Sequence, residues 1–254
     1  MTNVVAQFSD GLLSLTLSRP DKKNALTRQM YQSLADNINL ANEDESIKVV
    51  LIKGEGDSFT AGNDIGDFAA QGEGESVAET GAFMTALLNC KKVVVAQVQG
   101  MAVGIGTTLL LHCDLVYCTP NAKFVLPFIN LGLVPEYASS YLLPKLVGHR
   151  KASEWLMLGE PFSSDEALQF GIVNKVITPD LIDHFVNGVC GKLIAKPSFA
   201  LSHTKSLLIN ESSEIKQQMN EEMDIFIEAL STAAAKEAFD AFLNKRPINP
   251  DIFK

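Results

Sequence analysis

One stretch of the sequence, from Val93 to Asp114, constrains the fold more than any other. It opens with an apolar, β-branched run, Val93 to Val98, which is typical of a buried strand. Glycines then interrupt the chain at positions 100, 104 and 106, and Thr107 to His112 predicts a mostly apolar helix. The first N–H groups of a helix lack partners within it, and the peptide dipoles add there. The turn is therefore a candidate site for an anionic or strongly polarised oxygen.

Two other interpretations of this turn follow from its glycines. The first is structural, because glycine permits a helix to pack closely on a strand. The second is a phosphate-binding loop. The dinucleotide fingerprint requires a glycine where Leu109 stands, and the nucleoside-triphosphate loop requires a Gly-Lys-Ser/Thr ending that is absent. Both nucleotide motifs are excluded, and the structural interpretation stays open at this point.

Strands and helices alternate through the first part of the chain. The patterns predict a hairpin of Val4 to Phe8 and Leu12 to Leu17, and a helix from about Thr27 to Asn42 with one apolar face. The further predicted elements are strands at 49–53, 115–118, 123–126 and 172–177, and helices at 64–68, 77–90, 151–158 and 164–170 with a loop at 161–162. From Leu181 onward the sequence predicts only helices, and α/β is the expected class.

Length and charge limit the classes of function. A chain of 254 residues with 46% hydrophobic composition is long enough to bury a large core in one domain. A formal charge of −9 disfavours nucleic acid as the main partner, because binding to phosphates requires clustered Lys and Arg. No apolar run approaches the roughly 20 residues of a membrane helix, and neither end carries a targeting pattern. We expect no membrane association and a cytoplasmic location.

Cysteines and histidines give no metal-site pattern. The four cysteines show no C-x-x-C spacing, and three of them lie in or beside apolar segments, which suits reduced thiols in the cytoplasm. The four histidines are scattered along the chain. We therefore expect no bound metal.

Several carboxylates are candidates for acid–base chemistry. Glu136 follows Pro135, where it is either a helix-start carboxylate or a functional group. Asp64 is expected to cap a short helix, and Asp114 to be structural. The pair Glu221 and Glu222 is expected on a solvated helix face.

Four segments in order resemble the enoyl-CoA hydratase/isomerase (crotonase) superfamily. They are RPDKKNAL, SFTAGNDI, VQGMAVGIGTTLLLHCD and NLGLVPEYASSYLLPKLVG, and the tail FDAFLNKRP matches as well. The resemblance implies a spiral of repeated β-β-α units over residues 1–190, which carries the site for an acyl-CoA thioester. It also implies a helical trimerisation region over 191–254, a homotrimer or dimer of trimers, and no cofactor apart from the coenzyme A of the substrate.

The resemblance also assigns reacting groups. The oxyanion hole of the family corresponds to the backbone N–H groups of Asn63 and Ile105, which agrees with the donor turn described above. Hydratases of the family carry two glutamates at positions that are Thr108 and Phe128 here. The segment containing Glu136 instead resembles the peroxisomal type of Δ3,Δ2-enoyl-CoA isomerase, in which one glutamate serves as the base.

A single carboxylate suffices for a 1,3-proton shift from a 3-enoyl-CoA to the conjugated 2-enoyl-CoA, whereas hydration also needs an activated water. The expected activity is therefore isomerisation. Two alternatives remain open at this point: a lyase or hydrolase of the same superfamily acting on another acyl-CoA, and a non-catalytic protein that binds acyl-CoA.

The resemblance further implies which residues contact the coenzyme A and the acyl chain. The adenine is expected against the loop of Ala61 and Ile65, and the phosphates near Lys22 and Lys23. Lys245 matches a position that reaches coenzyme A, in some cases that of a neighbouring subunit. The remaining expected contacts are Gly104 in the glycine turn, and Phe68, Phe128 and Tyr137 around the acyl chain.

Overall fold

A buried sheet of six strands carries much of the first half of the chain. The computed structural model describes residues 3–69, 77–209 and 211–253, without the side chains of residues 68 and 69. The strands in these ranges are β1 (Val4–Ser9), β2 (Leu12–Leu17), β3 (Val49–Gly54), β4 (Val93–Val98), β5 (Met101–Val103), β6 (Leu115–Cys118), β7 (Lys123–Val125), β8 (Phe162–Ser163) and β9 (Lys175–Val176). The larger sheet has the order β1-β2-β3-β4-β6-β9, antiparallel at β1–β2 and parallel elsewhere. The predicted hairpin and central strand are confirmed.

Both faces of the larger sheet are covered. Val50 and Ile52 of β3 belong to one hydrophobic cluster, whereas Val49 and Leu51 belong to another on the opposite face. Successive side chains of a strand point to opposite faces, so a strand buried on both sides needs apolar residues at nearly every position. This explains the unbroken apolar runs in the sequence.

A smaller sheet of three strands stands beside the larger one. β5 pairs parallel with β7, and β7 pairs antiparallel with β8. The chain passes from the larger sheet to the smaller one after β4 and again after β6, which is the repeated strand-strand-helix passage that the resemblance implied.

The loop prediction at 161–162 is wrong at Phe162, which begins β8, because strands of two or three residues are too short to show alternation.

Helices cover both sheets and form the rest of the chain. Their bounds are α1 (Arg28–Glu43), α2 (Ile65–Ala69), α3 (Ala78–Leu88), α4 (Ile105–Thr108), α5 (Ser139–Val147), α6 (His149–Leu158), α7 (Ser164–Gln169), α8 (Ile182–Ile194), α9 (Ser198–Leu208), α10 (Ser212–Ser231) and α11 (Ala233–Leu243). Within the described ranges only helices follow β9, as predicted. α8 packs on the second face of the larger sheet through Ile182 and Val186, and it crosses position 190, where the sequence interpretation divided the chain. No helix of the described residues has both the length and the apolar character required to cross a bilayer.

Two predicted elements have different bounds. The helix expected at 107–112 begins at Ile105, and after Thr108 it tightens into a 3-10 turn that ends at His112. The strand expected at 172–177 is reduced to β9, because the N–H groups of Ile172 and Val173 turn back to the Ala167 carbonyl and leave the ladder.

The buried face of α10 corrects one prediction about charge. Its buried residues are Ile215, Met219, Glu222, Phe226 and Ala229. The sequence spaces the apolar residues Ile215, Met219, Met223 and Ile227 four apart, and steps of four drift around a helix of 3.6 residues per turn, whereas steps that alternate four and three stay on one face. Glu222 lies two turns beyond Ile215 and is 4% exposed, so its expected place on a solvated face is wrong, while Glu221 is exposed as predicted.

Candidate active site

The two loops with candidate donors are joined by backbone hydrogen bonds. The Thr60 N–H donates to the Met101 carbonyl at 2.9 Å, and the Val103 N–H donates to the Thr60 carbonyl at 3.1 Å. A Cβ placed on Gly106 would lie 2.5 Å from Thr60 Cγ2, so only glycine permits this approach. The loop after β3 and the turn before α4 therefore form one rigid unit.

The Asn63 N–H points away from Leu26, which holds its loop through an isolated bridge. The Leu26 N–H donates to the Gly62 carbonyl at 2.8 Å, and the Asp64 N–H donates to the Leu26 carbonyl at 2.9 Å. In such a bridge the N–H of the residue between the two bonded groups faces the other side. Among the described residues the Asn63 N–H has no acceptor, and Asn63 lines a cavity of about 650 Å³.

The second donor lies at the start of α4. Gly104 precedes the helix with φ +55°, a conformation that favours glycine, and its N–H donates to the Val125 carbonyl at 2.8 Å. The Thr107 hydroxyl fixes the turn by donating to the Ala102 carbonyl at 2.6 Å. Ile105 is the first residue of the helix, so its N–H has no intrahelical acceptor. Ile105 lines the same cavity as Asn63.

Glu136 is buried against the helix that begins with the Ile105 donor. It is 5% exposed, and the Thr108 hydroxyl donates to its carboxylate. Thr108 follows Ile105 by three residues, so the two share one helix face. Burial raises the pKa of Glu136 to about 8, with the charge of Glu222 adding to the rise and the Thr108 hydrogen bond opposing it. Glu136 is not among the residues that line the cavity. Its hydrogen bond with Thr108 holds the carboxylate one helix turn after the Ile105 donor.

The backbone after Glu136 takes an unusual path. Tyr137 and Ala138 both have left-handed conformations, with φ values of +61° and +54°. Non-glycine residues rarely adopt this conformation, and such outliers cluster at functional sites. His112 donates from Nε2 to the Tyr137 carbonyl at 2.8 Å and stacks on the Tyr137 ring at 3.8 Å. Burial lowers the pKa of His112 to about 4, so the ring is neutral and this hydrogen bond persists near pH 7.

Tyr31 is a site residue that the sequence interpretation missed. It is buried on α1, and its hydroxyl donates to the Asn63 side-chain carbonyl oxygen. Burial and the nearby Glu136 charge raise the pKa of Tyr31, so it stays a donor at neutral pH. On the sequence Tyr31 belongs to the apolar face of a helix. The only available clue was that a buried tyrosine hydroxyl needs a polar partner.

The structure brings together most of the predicted contact residues. Those that line the cavity are Lys22, Ala61, Asn63, Ile65, Gly104, Ile105 and Phe128. Tyr137 does not line it, because its ring packs on His112 and its hydroxyl donates to the Met84 carbonyl at 3.0 Å. Lys23 and Lys245 are exposed outside the lining, and the Phe68 side chain lies outside the described part of the chain. The Lys23 carbonyl accepts the Ala61 N–H at 2.9 Å, so Lys23 holds the loop through its backbone.

The C-terminal helices supply an apolar wall of the cavity that the sequence did not reveal. The residues of this wall are Phe226, Phe239, Phe242 and Leu243. Helix α11 also packs against α2, which follows the Asn63 loop. The helical end of the same chain therefore forms one wall of the cavity.

Two carboxylates that were expected to be structural bind neighbouring groups of the chain. Asp64 accepts the Asp67 N–H at 3.1 Å as a helix cap and pairs with Arg19 at 2.6 Å. Although burial opposes it, these contacts lower the pKa of Asp64. Asp114 accepts the Val94 N–H at 2.7 Å and pairs with Lys205 at 2.7 Å. In the described ranges no group of three or more His, Cys, Asp or Glu side chains is arranged to hold a metal.

Comparison with known proteins gives matches along nearly the whole chain. The model of the enoyl-CoA hydratase/isomerase family matches residues 7–250. The chain is 32% identical over 254 residues to a crotonyl-CoA hydratase of Syntrophomonas wolfei, covering 97% of each protein. It is 35% identical over 225 residues to enoyl-CoA delta isomerase 2 of Rattus norvegicus, covering 86% of this chain and 57% of that protein. A crystal structure of an enoyl-CoA hydratase/isomerase from Pseudoalteromonas atlantica T6c has a TM-score of 0.93 at 37% identity, covering 97% of this chain and 99% of that one.

Proposed function

Because the chain belongs to the enoyl-CoA hydratase/isomerase family, we propose that it isomerises 3-enoyl-CoA to 2-enoyl-CoA with Glu136 as the only base. One observation carries the proposal: the buried carboxylate of Glu136, with a raised pKa, accepts the Thr108 hydroxyl one helix turn after the unpaired N–H of Ile105, which lines the same cavity as Asn63. The isomerase of Rattus norvegicus, at 35% identity, supports the same choice.

In the proposed reaction the thioester oxygen binds to the N–H groups of Asn63 and Ile105. The Glu136 carboxylate removes a proton from C2, and the electron pair moves into a dienolate whose negative oxygen is stabilised by both donors. The protonated Glu136 then returns the proton to C4, and the double bond stands between C2 and C3. Atoms and electrons balance with one proton carried by one group, so no separate cofactor is required.

The surroundings of Glu136 suit this proton transfer. A carboxyl with a pKa near 8 is a stronger base than an ordinary glutamate, and its affinity for the proton is closer to that of the activated C2 position. The apolar side chains of Phe128, Leu133, Phe226 and Phe239 limit water in the cavity. At the positions of the two hydratase glutamates this chain has Thr108, which holds Glu136, and Phe128, which lines the cavity.

The proposal includes the ligand and the assembly. Lys22 lines the cavity and is proposed to contact the phosphates of coenzyme A. Lys23 and Lys245 are exposed outside the lining and are proposed as further cations for the coenzyme A. A homotrimer or dimer of trimers in the cytoplasm is proposed as well. Exposed apolar side chains on α9 support subunit packing: Phe199 is 76% exposed, Leu207 80% and Leu208 77%.

The test mixes the protein with a medium-chain 3-enoyl-CoA and follows the ultraviolet absorbance of the conjugated thioester. A parallel assay measures hydration of a 2-enoyl-CoA. We expect isomerisation without hydration in the wild type, and a loss of at least a hundredfold in Glu136→Gln. Glu221→Gln is the matched control, because Glu221 is exposed on α10. Normal turnover by Glu136→Gln would contradict the assigned base.

A hydratase or another acyl-CoA reaction is the second candidate. The crotonyl-CoA hydratase of Syntrophomonas wolfei, which aligns over 97% of both proteins, is the observation that favours it. This candidate predicts a positive hydration assay or turnover of an acyl-CoA other than a 3-enoyl one. Binding of acyl-CoA with no turnover in any assay would instead indicate a non-catalytic binding protein.

A further inference from the structure

A second buried carboxylate lies behind the Glu136 segment. Glu222 is 4% exposed, and its Oε1 accepts the Ser140 N–H at 2.9 Å and also the Ser140 hydroxyl. Ser140 is in the first turn of α5, where backbone N–H groups lack helical acceptors. Glu222 belongs to α10, so a helix of the C-terminal region supplies the acceptor for the start of α5.

The segment between Glu136 and Ser140 contains the left-handed residues Tyr137 and Ala138. Two adjacent non-glycine residues in this conformation persist only where the surroundings hold them. His112 binds the Tyr137 carbonyl at one end, and Glu222 binds Ser140 at the other. The direction of the Glu136 side chain depends on this turn, because Glu136 is the residue immediately before it.

We propose that Glu222 is a positioning residue that holds the Tyr137–Ala138 turn so that Glu136 meets Thr108 and the substrate. This inference rests on the proposed function, in which Glu136 is the base. Glu222 is not assigned a reacting role, because its Oε1 is bound to the Ser140 N–H and hydroxyl, whereas Glu136 contacts Thr108 on the helix that carries the Ile105 donor.

The charges around Glu136 assign a second effect to Glu222. The groups that face Glu136 are the Thr108 hydroxyl from α4, Tyr31 from α1, the adjacent Tyr137 and Glu222 from α10. Burial raises the pKa of both tyrosines, so they are uncharged near pH 7. His112, which contacts Tyr137, is neutral as well.

Among the described residues, Glu222 is therefore the carboxylate whose charge raises the pKa of Glu136. Burial also raises the pKa of Glu222, but its hydrogen bonds with Ser140 favour the ionised form. The N–H groups of Ala138 and Ser139 also favour the ionised form, and Glu222 Oε2 itself is buried with no hydrogen-bond partner of good geometry among the described residues. A like charge in a buried site raises the proton affinity of the base.

The test compares Glu222→Gln with Glu221→Gln, since the two residues are adjacent and only Glu222 is buried. We expect Glu222→Gln to lower kcat about tenfold or more, because a displaced base transfers the proton poorly, with KM within about twofold. The acid limb of the kcat/KM profile should move to lower pH by about one unit, because the like charge is removed. Glu221→Gln should change neither quantity.

An infrared titration of the Glu136 carboxyl without substrate measures the same shift directly, with Glu136→Gln as the spectral reference. If the wild type converts no 3-enoyl-CoA, the proposed function fails, and this titration alone decides the inference. An unchanged Glu136 pKa in a folded Glu222→Gln protein would overturn it, as would unchanged kcat. A lower kcat with an unchanged pH profile would indicate general loss of structure and would also overturn it.

If Glu222→Gln does not fold, Ser140→Ala provides the second variant. It removes the hydroxyl that donates to Glu222 and leaves the backbone N–H and the charge in place. We expect kcat to fall severalfold with an unchanged circular dichroism spectrum and unfolding midpoint, and without the shift to lower pH, because the charge of Glu222 is still present in this variant. A kcat equal to that of the wild type in Ser140→Ala would then overturn the inference.

Discussion

Replacing Glu136 by glutamine should stabilise the protein while it removes activity, and the gain in stability should grow with pH. The structure gives the reason: burial raises the pKa of this carboxyl from its ordinary value of 4.5 to about 8. A group whose pKa is higher in the folded state favours folding at low pH, and this contribution is lost as the pH rises through the folded pKa. Glutamine is neutral at every pH and has no such loss.

The magnitude follows from the interval between the two pKa values. The wild type should lose about 1.4 kcal/mol of unfolding free energy per pH unit between pH 4.5 and 8 relative to Glu136→Gln. The accumulated difference is about 3 kcal/mol at pH 7 and about 5 kcal/mol above pH 8. These are upper bounds, because water entering from the adjacent cavity would stabilise the ionised form. A constant offset is also expected, since the glutamine amide has N–H groups to satisfy.

The assay is denaturant unfolding of both proteins at a series of pH values from 5 to 9, at one chain concentration so that any assembly contributes equally. The slope of the stability difference with pH is the measured quantity, because the constant offset does not affect it. Glu221→Gln is the control and should run parallel to the wild type, since Glu221 is exposed. A difference between Glu136→Gln and the wild type that stays flat from pH 5 to 9 would refute the reasoning.

Three further perturbations test the surroundings of the site. Thr108→Val removes the hydroxyl that favours the carboxylate, so the acid limb of the kcat/KM profile should move to higher pH in a steady-state titration. Gly106→Ala places a Cβ 2.5 Å from the first loop and should misalign the two donors, lowering kcat about a hundredfold with an unchanged circular dichroism spectrum. Lys205→Met leaves Asp114 without its buried cation and should reduce the unfolding free energy by about 3 kcal/mol; the double variant with Asp114→Asn should recover part of that loss.

The sequence predicted the elements that periodic patterns or unbroken apolar runs describe. The hairpin, α1 and the helical end of the chain contain repeated apolar positions, β3 and β4 are apolar runs, and each is found close to its expected bounds. β5 and β8 were missed because two or three residues contain no period. The helix at 105 was placed two residues late, because glycine is a poor helix former and the sequence does not show that Thr60 approaches Gly106.

Within the candidate site, the resemblance to the family supplied the two backbone donors. Local glycines and helix polarity indicate a donor turn before α4, but Asn63 and Ile105 themselves could be named only from the resemblance. Tyr31 and Phe226 could not, since each lies on the apolar face of a helix and its contact with the site depends on how distant segments pack. The misplacement of Glu222 has the same origin, because its burial depends on the drift of a four-residue spacing around α10.

The place where local rules fail most clearly is the turn after Glu136. Neither tyrosine nor alanine favours positive φ, so no sequence rule predicts that Tyr137 and Ala138 both adopt it. Residues from other segments hold this conformation: neutral His112 binds the Tyr137 carbonyl, and Glu222 accepts the Ser140 N–H. Strain held in this way costs stability, as does a buried carboxyl with a raised pKa. Both costs fall on consecutive residues, which is the pattern expected where a chain has been selected for the placement of one reactive group rather than for stability.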